Sequence, residues 1–181
     1  MVWPRAAAAR GLCVVSPQGG RKRGNLVEQE QAVQLRRMLA GLGEGKAMVL
    51  ATADQHRVSA RSMSVVVLED ALWFQTDAAF EKCRQLSARP QAALCREELS
   101  VEGICIPQGP PVFHPAFCAA FSRLYPSSYQ RYTRLEGELL WRMEPLRLRR
   151  WIYREGKPFI ETLDLEQNTY TLQPYADCQN P

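Results

Sequence analysis

The chain has 181 residues, 46% hydrophobic and 23% charged, the balance of an ordinary globular domain. Its formal charge of +4 comes from one end: residues 1–24 hold five basic side chains and no acid, whereas the remainder carries 18 basic and 19 acidic residues. A near-neutral body excludes general attraction to nucleic acid, and no apolar run approaches the ~18 residues of a membrane-spanning helix.

Residues 1–24, with Arg5, Arg10, Arg21, Lys22 and Arg23, read as a basic disordered tail. The weakly apolar run from Ala6 to Val15 is broken by Arg10 and makes a poor signal peptide. Residues 25–181 then form a single domain. Asn25 with Glu28 predicts a helix N-cap; Leu26, Val27, Val33, Leu35, Met38, Leu39 and Leu42 follow at helical spacing, and Gly41, Gly43 and Gly45 end the helix. Lys46–Thr52, Val58–Leu68 and Ala71–Thr76 read as strands of a meander, joined by turns at Asp54–His56 and Glu69-Asp70. Phe80–Ser87 reads as a short helix stopped by Pro90.

Two more strands are predicted at Gln91–Arg96 and Leu99–Pro107, and Gln108–Pro111 is a break. A helix over His114–Leu124 is interrupted by Pro126-Ser127-Ser128. Gly137–Met143 reads as a strand, Pro145–Trp151 as a turn with a helix or edge segment, and Ile152–Ile160 with Thr162–Leu172 as a closing hairpin. Six or more short strands and a few helices make a mainly β fold, an antiparallel barrel with helical caps.

Chemistry-bearing residues are few. The six cysteines include no C-x-x-C pair, so buried free thiols in a reducing cytosol are expected. With only His56 and His114, a zinc site is not expected. His114 reads as a capping or core histidine, and Trp73, Trp141 and Trp151 as core aromatics. The basic stretch Arg147, Arg149, Arg150 and Arg154 reads as an exposed face paired with nearby acids. One cluster differs. Arg61 lies mid-strand among the small residues Ala60, Ser62 and Ser64. Gln75 and Thr76 end the next strand, and Lys82 falls in the first turn of the helix after it. An anion there would meet backbone N–H groups, a hydroxyl and an ammonium. The plain alternative is that Arg61 and Lys82 are ordinary surface charges.

These residues carry a resemblance. MVLATAD, Arg61-Ser62-Met63, LWFQT followed by Lys82, the Gln85-Leu86 helix with its Pro90 stop, Val101-Glu102-Gly103 and the Gly156-Lys157-Pro158 to Leu165 tail stand in the order found in the pyridoxamine 5′-phosphate oxidase superfamily. Over Leu26–Leu172 the chain resembles its FMN-binding split β-barrels, most closely the small general-stress type. The resemblance implies that Arg61 reaches the FMN phosphate and that Ser62, Met63 and Ser64 run along the isoalloxazine ring. It further implies that Gln75 and Thr76 lie near the ribityl-phosphate and that Lys82 binds the phosphate. It also implies a homodimer with FMN at the interface and oxidoreductase chemistry on an unknown small molecule. The chain departs from the oxidase at Val66, Phe80, Glu81 and Glu98, and lacks its C-terminal arginine–histidine substrate motif, so vitamin B6 oxidation is not implied. Glu81 would repel a phosphate unless its carboxylate turns away. Two alternatives stay open: a non-catalytic module binding flavin, deazaflavin or haem, and an interaction protein with an empty site. No catalytic residue is assigned.

Overall fold

A computed structural model of the chain describes residues 19–175. Strands β1 (Gly45–Ala53) and β2 (Val58–Leu68) pair antiparallel from Gly45–Val66 to Ala53–Val58. The turn after β2 places Glu69 and Asp70 at φ 51° and 61°, the left-handed conformation a two-residue hairpin needs. Strand β3 (Ala71–Asp77) stays with β2 only from Val66–Trp73 to Leu68–Ala71. It then runs beside β6 (Glu138–Arg154), from Leu72–Met143 to Asp77–Glu138. Strands β4 (Gln91–Arg96) and β5 (Leu99–Gly109) link β1 back to β6. The six strands β1-β2-β3-β6-β5-β4 close an antiparallel barrel. The far half of β6 carries β7 (Lys157–Asp164) and β8 (Thr169–Pro174) as an extension.

Alternation along the strands decides what fills the barrel. Met48, Leu50, Val65, Leu72, Phe74, Leu94, Trp141 and Met143 point inward, and helices α1 (Gly19–Leu39) and α2 (Glu81–Ala88) add Leu35, Met38, Leu39 and Leu86. Burying each such side chain contributes about 1.5–3 kcal/mol. A second cluster covers the outer wall, where Val66, Trp73 and Leu140 meet Phe117 and Phe121 of α3 (Pro115–Leu124). Because β3 leaves β2 early, β2 from Val58 to Val65 has a strand partner on the β1 side alone among the described residues. That opening is the split in the barrel.

Three expectations are corrected. Helix α1 begins at Gly19, so Asn25 lies inside it and does not cap it; the lysine, arginine, glutamate and glutamine around it are good helix formers. Residues 1–18 of the expected tail lie outside the described residues. Pro145–Trp151 holds neither turn nor helix, because β6 is one 17-residue strand. Pro145 is accommodated at a register shift between Glu102 and Gly103, since a bulge relieves the ladder of a missing N–H. Finally, the closing segment turns at Glu155-Gly156 and again after Asp164, not near Glu161. Pro126 opens a further helix, α4 (Pro126–Tyr132), at a first-turn position that tolerates proline.

The bulge gives a stability prediction. Gly103 faces Pro145 across it, and a Cβ there would meet the Glu144 carbonyl oxygen and, at 2.9 Å, the Met143 Cγ. Gly103→Ala is expected to cost about 1–3 kcal/mol of overpacking, read as a lower melting temperature. An unchanged Tm contradicts it.

Candidate anion site at the barrel end

On β2, Met63 and Val65 face the core, so strand alternation puts Arg61 and Ser59 on the same side, at the barrel end beside α2. Arg61 Nη1 donates to Thr52 Oγ1 at 2.6 Å and to the Leu50 carbonyl at 3.4 Å. The Thr52 hydroxyl donates to Gln85 Oε1 at 2.5 Å, and Gln85 Nε2 donates to Ser59 Oγ at 3.3 Å. Thr52 and Gln85 are both buried. This relay orients the guanidinium through Nη1; among the described residues its other N–H donors have no assigned acceptor.

The chain before α2 is extended at Phe80 (φ −71°, ψ 149°), which brings no side-chain acceptor to the first turn. Glu81 suits that positive helix end, and its carboxylate is drawn aside, 3.6 Å from Arg57 and 3.4 Å from Arg84. Its charge still reaches Arg61, so the turning away that a phosphate would require is incomplete. Lys82 is half-buried, with Nζ 4.2 Å from the centre of the Phe80 ring. Burial lowers the pKa of its ammonium, and the Arg61 charge lowers it further, against the opposing influence of Cys83, Glu138 and Asp77. Burial also lowers the pKa of Arg61, against the pull of Glu81. Among the described residues neither cation forms an ion pair. Two desolvated cations that disfavour each other, with donors to spare, fit an anionic group such as a phosphate.

The other expected site residues divide. Ser62 and Ser64 lie on the opposite face of β2 from Arg61, Ser62 being exposed beside Val49, and Met63 packs against the core. None of the three side chains joins the cation pair; what this segment offers is backbone along the split. Gln75 and Thr76 are both buried but face opposite ways. Gln75 Oε1 accepts from Thr133 Oγ1 at 3.0 Å on the outer wall, whereas Thr76 lies across from Leu139 on the barrel side. Strand alternation prevents the two side chains from meeting one ligand from the same face. Glu98 sits in the β4–β5 turn, its carbonyl accepting from Trp151 N at 3.3 Å.

Sequence reasoning missed Thr52, Gln85, Asp77 and Glu138. Glu138 opens the apolar run of β6, directly opposite Asp77, and is only 7% exposed. A lone acid entering an apolar strand was the available signal. Burial, reinforced by the Asp77 charge and opposed by Lys82 and Gln75, pushes its pKa up to about 7. A raised carboxyl pKa stabilises the fold while both states are protonated, and that contribution is lost as pH rises from the unfolded value of about 4.3 through 7. Glu138→Gln is expected to flatten the profile of Tm against pH in that window. Parallel profiles for the two proteins contradict it.

Elsewhere the bland readings hold in part: Trp151 is half-buried against Tyr153 and Tyr175 and in neither apolar cluster, and Arg150 meets a buried carboxylate rather than lying on an exposed face. His114 Nε2 lies 2.8 Å from the Gln108 carbonyl, to which it donates, and its ring is 6.0 Å from that of Trp73. Trp141 is buried in the barrel. Arg150 and Arg147 pair with Glu161 and Asp164. Cys83 and Cys105 are buried free thiols, while Cys95 and Cys118 are half-buried and free. Cys13 and Cys178 lie outside the described residues. No described helix is long and apolar enough to cross a membrane.

No protein-family model and no curated protein matches the sequence. Solved structures match its fold. A pyridoxamine 5′-phosphate oxidase-related, FMN binding protein from Nostoc punctiforme superposes with a TM-score of 0.52 at 16% identity, over 84% of this chain and 97% of its own. General Stress Protein 26 from Bacillus anthracis gives 0.52 at 16% identity, over 73% and 99%. A heme binding protein from Mycobacterium smegmatis gives 0.56 at 18% identity, over 76% of this chain and 59% of its own. The closed barrel, its helical elements and these superpositions give the chain the split β-barrel fold of the pyridoxamine 5′-phosphate oxidase-like proteins.

Proposed function

We propose that this chain binds FMN, its phosphate held by Arg61 and Lys82, and serves as an oxidoreductase on a small molecule. The observation that carries the reading is the pair of desolvated cations at the barrel end without an ion-pair partner among the described residues. Thr52 and Gln85 would hold Arg61 in place, and the backbone of Ser62–Ser64 along the split would border the ring. Bound flavin supplies the redox chemistry through N5 of that ring. Phe80 and the barrel end would limit water around the phosphate.

A deazaflavin carrying a phosphate shares this chemistry. Haem draws less support: His114 Nε2 is engaged by Gln108, and His56 lies in an exposed turn. A homodimer belongs to the same reading: Val49, Val58 and Phe80 are exposed apolar residues that a second copy would cover. A cytoplasmic setting agrees with the free thiols.

The test is direct. Purified protein titrated with FMN should quench the flavin fluorescence and gain thermal stability, and riboflavin should do so far more weakly. Colourless protein whose Tm does not move with FMN overturns the reading. Bleaching of the flavin-loaded protein by a nicotinamide donor, with recovery on adding an acceptor, separates an enzyme from a binding module.

A further inference from the structure

We propose that the Asp77–Glu138 carboxyl pair couples anion binding at Arg61 and Lys82 to the uptake of one proton, so that the site holds its phosphate best below neutral pH. This rests on the phosphate-site reading above and adds a regulatory residue pair to it. Asp77 and Glu138 are directly paired across β3 and β6, which puts their side chains on one face about 5 Å apart at Cβ. Asp77 is committed to its own turn, accepting from Ala79 N at 2.8 Å. Glu138 is buried, and among the described residues neither carboxyl has an ion-pair partner.

The groups that act on Glu138 stand on β3 and α2. Asp77 and Gln75 stand on β3, Lys82 and Cys83 on α2, and Arg61 acts through Lys82 from β2. The Cys83 thiol is pushed up by burial, so it stays neutral near pH 7. Two carboxyls this close cannot both ionise cheaply with one out of water. While Glu138 is protonated, Arg61 and Lys82 outweigh Asp77. Once it ionises, a second negative charge acts on Lys82 and the pull on a phosphate weakens. A bound phosphate in turn favours the protonated carboxyl, which is proton uptake on binding by linkage.

The phosphate's own titration has the opposite sign. A phosphomonoester loses its second proton near pH 6 and is already a dianion above pH 7, so it contributes no fall in affinity there. Lys82 deprotonation would give a fall in the same direction, but it would persist without Glu138.

FMN affinity measured by fluorescence quenching from pH 6 to 8.5 decides the matter. The wild-type Kd is expected to rise above pH 7, by up to about tenfold per pH unit for a one-proton linkage. Glu138→Gln, which mimics the protonated carboxyl, should bind FMN with a Kd that does not rise above pH 7. Asp77→Asn should move the fall to lower pH. Calorimetry in buffers of different ionisation enthalpy should find close to one proton taken up at pH 8 by wild type and close to none by Glu138→Gln. Riboflavin binding should show no such dependence. A flat wild-type profile, or a fall that persists in Glu138→Gln, overturns the coupling while leaving the phosphate site standing. Failure to bind FMN at any pH overturns the phosphate-site reading instead; the Tm gain with inorganic pyrophosphate, measured over the same pH range, then decides the coupling by the same two outcomes.

Discussion

Lys82→Ala and Arg61→Ala are each expected to weaken FMN binding by about 10- to 100-fold, measured by fluorescence quenching at fixed ionic strength. A charge-assisted hydrogen bond is worth roughly 1.5–3 kcal/mol, and each 1.4 kcal/mol is a factor of ten in Kd. The range therefore corresponds to about one lost contact per variant. The two variants should differ in the apo protein. Lys82 is held by burial and by the Phe80 ring, so its loss removes a desolvated cation and should leave stability nearly unchanged. Arg61 anchors Thr52, which in turn bonds Gln85, so its loss leaves a buried hydroxyl short of a donor and should lower Tm as well. Riboflavin separates phosphate recognition from general damage, because neither change should alter its binding much. Unchanged FMN affinity in both variants rejects the placement of the phosphate.

The second large effect lies away from the site. Glu161→Ala is expected to destabilise the fold by about 3 kcal/mol, the lower part of the range for removing one partner of a buried ionic cluster. Glu161 is fully buried on β7. Its carboxylate accepts from Tyr170 Oη at 2.7 Å, from Arg150 Nε at 2.5 Å, and from Arg37 of α1. The cluster thus ties the helix that closes the barrel to the β6–β8 extension. The estimate sits low because both arginines remain partly exposed and can recover water. Burial raises the pKa of Glu161, but the bonds from Tyr170 and Arg150 and the charges of Arg150 and Arg37 outweigh it and leave the pKa lowered. A depressed carboxyl pKa gives stability that is present above the unfolded value of about 4.3 and is lost as pH falls through the folded one. Acid unfolding should therefore be less steep in Glu161→Gln than in wild type. Chemical denaturation at pH 7, where an unaltered midpoint in Glu161→Ala counts against the cluster, checks the first claim.

Much of the barrel was legible along the chain. The alternation from Val58 and the short Glu69-Asp70 turn mark β2 and its hairpin, and Pro90 marks the end of α2. Arg61 and Lys82 were legible as candidates for the same reason: a cation among small residues and a cation in a first helical turn are local patterns. Gln75 and Thr76 look like one motif in sequence, yet adjacent strand residues face opposite sides, and only the position of the barrel wall shows which faces what. The segment around Pro145 was misread because a proline inside a paired strand is accommodated at a bulge, and that bulge, at Leu146, shows only when β6 is laid against β5.

The sequence by itself determined the order and kind of most elements, since turns, alternation and helix stops depend on residues a few positions apart. Tertiary structure alone decided that β3 abandons β2 for β6, which opens the split beside Arg61 and sets Glu138 against Asp77. That choice depends on which distant strand offers matching apolar faces and hydrogen-bonding edges, a property of the closed barrel rather than of any local stretch of chain.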